Sequence, residues 1–167
     1  MKALGGLLAA LVLAGCVNGV GAGNDRPSGV VVTSGGLVPV GSILRIDFGR
    51  AQLGVIEAVS KLQGAQPEQV STIEECGAGP VTAARWTNGM TLNFQNEVFL
   101  GWTVQAPFAG TSSSDGLRIG TTIADLGVPL EQTSLGREFL KDDIWGLIHE
   151  DETQVGLLWS GLTCFFR

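Results

Sequence analysis

Hydrophobic positions along the chain fall into short runs punctuated by glycine, and their period changes from one stretch to the next. Residues 3–14 are apolar and uncharged behind the single cation Lys2, and the run stops at Gly15-Cys16. Residues 17–41 are rich in glycine, valine, serine and proline, with Asp25 and Arg26 the only charges, and read as a tether. Within it, Val30-Val31-Val32-Thr33 is β-branched and expected to dock as an edge strand. The folded part is expected to open at 43–48. Leu53, Ile56, Val59 and Leu62 then recur every three residues and predict an amphipathic helix over 51–62, ended by Gly64 and Pro67. Runs at 70–76, 81–86, 90–94 and 98–104 read as strands, separated by turn residues that include the Asn88-Gly89 step of a hairpin.

After Pro107, residues 107–116 are poor in apolar side chains and read as a linker. The pattern then resumes. Residues 117–120 form a short apolar run closed by glycine, 121–135 a second helical stretch interrupted by Pro129, and 138–141, 144–149, 155–159 and 162–166 four more short strands. Residues 86–94 and 159–166 echo each other as a tryptophan, a glycine and an apolar-Thr step. The expectation is an α+β fold of two similar helix-on-antiparallel-sheet units, 43–106 and 117–167, with an internal duplication as its origin. Chance likeness between glycine-bounded hairpins is the alternative.

Composition changes this picture in two ways. Charged residues are only 16% of the chain and glycine contributes 25 residues, which suits a turn-rich β-containing fold. Without Lys2, nine cations face sixteen carboxylates and cluster nowhere, so a nucleic-acid partner is not expected.

The leader fits a secretory signal, with one cation, a short apolar segment and small residues before a cut. Leu13-Ala14-Gly15-Cys16 resembles the lipobox of bacterial lipoproteins. That resemblance implies a signal peptide over 1–15, acylation of Cys16 (a palmitate-type chain among its lipids), and a tether over 16–42. Val17 in place of Asp implies sorting to the periplasmic face of the outer membrane. The alternatives are ordinary secretion and an uncleaved span, although a span needs about 20 apolar residues and this run ends sooner. In an oxidising compartment the two remaining thiols, Cys76 and Cys164, are expected to pair; buried free thiols are the other reading.

Gly49, Leu62-Gln63-Gly64-Ala65-Gln66-Pro67, Gly120 and Leu135-Gly136 mark a glycine, helix, glycine and sheet order that occurs twice. It is similar to the helix-on-sheet modules of the beta-lactamase inhibitory protein and of the small lipoprotein of the outer-membrane barrel assembly machinery. The resemblance implies binding or scaffolding of an envelope protein partner, with no catalysis.

The residues offer little other chemistry, and no catalytic, cofactor or metal site is expected. His149 beside Glu150-Asp151-Glu152 would suit a general base with Ser112, Ser113 or Ser114 as nucleophile, yet no glycine-flanked serine elbow supports it. Asp142, Asp143 and Glu150 to Glu152 lack the alternating spacing of a calcium loop and read as solvated turns. Trp86, Trp102, Trp145 and Trp159 are expected to fill the core rather than line a cleft. The alternative to a binding module is a small periplasmic enzyme or ligand carrier with a Trp-lined cleft near His149.

Overall fold

A computed structural model of the protein describes residues 29–149 and 152–165. The leader, Cys16, Glu150, Asp151 and Phe166 lie outside the described residues. In chain order the elements are β1 (Val30–Thr33), β2 (Gly36–Pro39), β3 (Ile46–Asp47), α1 (Gln52–Gln63), β4 (Gln69–Ile73), β5 (Val81–Arg85), β6 (Met90–Gln95) and β7 (Val98–Gln105). Then follow α2 (Ile123–Leu126), β8 (Glu131–Thr133), β9 (Gly136–Lys141), β10 (Ile144–Ile148) and β11 (Leu157–Gly161). Content is mixed α and β, dominated by antiparallel sheet. β1, β2 and β3 form a small sheet, and the others form an eight-stranded sheet in the order β4-β5-β6-β7-β11-β10-β9-β8. The last strands of the two runs, β7 and β11, pair from Leu157↔Gln105 to Gly161↔Gly101. The two expected units therefore share one continuous sheet.

Helix α1 forms where the periodicity predicts it, but its buried face is rotated. Val55 and Val59 are buried and Leu62 packs beside them, whereas Leu53 is 82% exposed. A three-residue spacing drifts around the helix, so that nine residues carry a side chain about 180° from its start. Gly64 ends α1 in the left-handed region at φ 68°, a conformation that glycine adopts without a Cβ penalty. The second helix is one turn only, closed by Gly127, and 131–133 of the expected helical stretch is strand β8. Leu135-Gly136 consequently leads into β9, whose first residue is Gly136, and stops no helix. Residues 162–165 are not a strand, and the eighth strand is supplied by β8 instead. The echoing tryptophans hold different places: Trp86 precedes the β5–β6 turn, whereas Trp159 lies within β11.

The expected tether and linker are corrected over much of their length. Val30, Val32 and Leu37 are at most 2% exposed, so 30–39 belongs to the core and not to a tether. Residues 107–116 are packed too: Phe108, Ser112 and Ser114 are buried, Val32 N donates to Thr111 O at 3.0 Å, and Ser113 N donates to Val32 O at 2.8 Å. Backbone bonds to the β1–β2 hairpin replace the apolar periodicity that a sequence reading looks for. The core lies between one face of the large sheet (Leu92, Phe94, Phe99, Val104, Leu158) and a cover of α1, the hairpin and α2. Trp102 is fully buried there and donates from Nε1 to Thr33 O at 2.8 Å, tying hairpin to sheet; Trp86 likewise donates to Ala65 O at 3.0 Å beyond the end of α1.

Candidate functional site

Side chains directly opposite one another in an antiparallel sheet project from the same face. The pairing therefore aligns Gln69, Arg85, Thr91, Thr103, Trp159, Trp145 and Leu140 in one row across the sheet. This row is on the face away from α1, because the alternating residues Leu92, Trp102 and Leu158 are in the core. Trp145 and Trp159 stack with ring centroids 6.2 Å apart at 12°, and Phe165 meets Trp159 edge-on at 5.1 Å. Trp159 is 3% exposed beneath these neighbours, while Trp145 is 38% and Leu140 45% exposed. Trp86 and Trp102 are core residues, as expected; Trp145 is not. Its placement follows from alternation in β10, where Ile144, Gly146 and Ile148 take the inner positions.

The C-terminal residues cover the first half of this outer face. Gly161 turns the chain at φ 71°, Leu162 N donates to Leu100 O at 2.8 Å, and Asn93 Nδ2 donates to Leu162 O at 2.9 Å. Gly101 permits the approach, since a Cβ there would overlap the Leu162 backbone. The crossing brings the two cysteines together. Cys164 lies within hydrogen-bonding reach of Cys76, and Cys76 Sγ is 4.0 Å from Thr163 O. Both cysteines are unbonded in the structure. Burial first, then the hydrogen bond and charge of Cys76, push the Cys164 thiol up to about 11.

His149 is exposed just after β10 and lines a cleft of about 540 Å³ with Glu152, Gln154 and Gly156. A Cβ on Gly156 would fall 3.2 Å from both His149 Nε2 and Glu152 Oε2, so imidazole and carboxylate face the same spot. The serines that a catalytic reading would need are elsewhere: Ser112 Oγ donates to Leu117 O at 2.9 Å, and Ser114 Oγ donates to Asp142 Oδ2 at 2.6 Å. Asp142 and Asp143 form the β9–β10 turn at φ 50° and 60°, and β10 separates them from Glu152 at its other end. Among the described residues, no group of three or more His, Cys, Asp or Glu side chains is placed to hold a metal ion. No helix among them is long and apolar enough to cross a membrane. No family model matches the chain, nor does any curated protein or solved structure.

Proposed function

We propose that the protein is a bacterial envelope lipoprotein, acylated on Cys16 at the periplasmic face of the outer membrane, that acts as a non-enzymatic binding or scaffolding module. The partner is an envelope protein seated on the outer face of the large sheet. The observation that carries this reading is the Trp145–Trp159 stack with Leu140 beside it, a partly exposed apolar cluster on three adjacent strands, β9, β10 and β11. Aromatic anchors of this kind dominate interface energies. A disulfide between Cys76 and Cys164 belongs to the same reading: two protons and two electrons pass to the disulfide of an exchange oxidant, and the closed bridge pins 162–165 on the sheet. The mirrored strand order about the β7–β11 pair supports an internal duplication as the origin of the fold.

Cross-linking in whole envelopes tests the function. Trp145→Ala with Leu140→Ala should reduce the captured partner at least tenfold, consistent with hot-spot losses of about 2 kcal/mol or more. His149→Ala should leave it unchanged, and metabolic palmitate should label the wild type and not Cys16→Ser. A second reading, a small enzyme or ligand carrier, is favoured by the cleft that His149 and Glu152 share, although none of the described residues lining it is the tryptophan that this reading expects. Loss of function in a folded His149→Ala protein would establish that reading instead.

A further inference from the structure

Two of the most exposed apolar side chains among the described residues, the adjacent Ile43 and Leu44, lie at one groove, which Leu44 lines. Ile43 is 98% and Leu44 70% exposed in the connection from β2 to β3, beside α1. Between these elements runs a groove of about 630 Å³, lined by Leu44, Ile46, Val55, Ala58 and Leu62. Leaving two large aliphatic side chains in water at an apolar groove forfeits burial that a partner phase would supply.

Charge narrows the choice of that phase. The chain carries a net charge of −6, yet Arg45, Arg50 and Lys61 border the groove. Arg45 is paired with Asp47 at 2.8 Å and Lys61 with Glu57 at 2.7 Å, while Arg50 has no carboxylate partner among the described residues. Three cations against two carboxylates leave the rim with one positive charge on an acidic protein. Long basic side chains around exposed aliphatic ones suit the boundary between anionic headgroups and acyl chains.

The chain path puts this groove beside the root of the proposed anchor. Val40 N donates to Gly29 O at 3.0 Å, so the first described residue lies against the residue that leads, four positions later, to Leu44. Gly29 stands thirteen positions after Cys16, a distance of at most about 45 Å even fully extended. We propose that Ile43 and Leu44 insert into the lipid interface, with Arg50 on anionic headgroups, as a second membrane contact that holds the domain in one orientation. The position of the bilayer in this proposal rests on the Cys16 anchor reading.

The test uses mature protein purified from its own membrane and reconstituted into vesicles of phosphatidylethanolamine and phosphatidylglycerol with brominated acyl chains. Leu44→Trp should lose about one-fifth of its total emission to bromine, the share of one tryptophan among five. Wild-type emission should be unchanged, since Trp145 projects from the opposite face and the other tryptophans are buried. Adding Ile43→Ser, or omitting phosphatidylglycerol, should reduce the quenching. Vesicle-bound, palmitate-labelled Leu44→Trp protein whose introduced indole stays unquenched would overturn the inference and leave the anchor standing. Quenching in protein that carries no palmitate would sustain the contact and remove the anchor. Protein that neither carries palmitate nor binds vesicles would end both. Emission from that indole already blue-shifted without lipid would mean that a second copy, or the N-terminal part of the chain, covers the groove, and would overturn the membrane assignment.

Discussion

Ser60 is the one buried polar side-chain atom without a hydrogen-bond partner among the described residues, although it lies on the packed side of α1 between Val59 and Lys61. A buried hydroxyl that accepts and donates nothing costs about 1–3 kcal/mol relative to water. Ser60→Ala should therefore raise stability by about 1–2 kcal/mol, with a small further gain from helix propensity, read as a higher urea midpoint at unchanged slope. At this scale the sequence was informative where residue type alone decides the outcome. Gly64 stops α1, and the Asn88-Gly89 step turns β5 into β6 as expected. It misled where rotation about an axis decides. Leu53 has the side chain of a core residue, but the apolar stripe of α1 has drifted away from it.

Among the elements, the C-terminal crossing shows why part of the candidate site could not be read in advance. Leu162-Thr163-Cys164-Phe165 has the apolar pattern of a strand, yet β11 already has β7 and β10 as neighbours, and the chain lies across the face instead. No local pattern reports that Gly101 and Asn93, some sixty residues earlier, prepare its seat. Counting thiols singles out Cys76 and Cys164 because the count depends on compartment and not on geometry; the structure brings the two close as free thiols, and their bridge is part of the proposal. Closing that loop is worth up to about 4–5 kcal/mol by the chain-entropy model. The bridged protein should show both thiols blocked to alkylation until reduced, by intact mass, and reduction should lower its denaturant midpoint. In the reduced protein the Cys164 thiol is raised from 9.0 to about 11, so its contribution is complete below pH 9 and is lost as pH rises towards 11. The midpoint of the reduced form should fall across that window, and that of the bridged form should not.

As a whole molecule, the protein was legible in its element types and in most strand positions, but not in how the halves meet. Helix and strand runs follow from periodicity, whereas β7 joining β11 is a contact between distant segments that no local signal encodes. The sheet so formed ends in two unequal edges, β4 and β8. β8 is three residues long and carries Glu131, too short and too charged to template another strand. β4 runs five residues without a charge, with Val70 49% exposed. Two copies meeting edge to edge at β4 would form a closed two-fold pair, and β8 would give a third copy nothing to continue. Sedimentation at high concentration should accordingly show dimers and no ribbons, and Val70→Lys should abolish them. The unequal edges thus set a ceiling on self-assembly at two chains, a form of protection against fibre growth that comes from geometry rather than solubility.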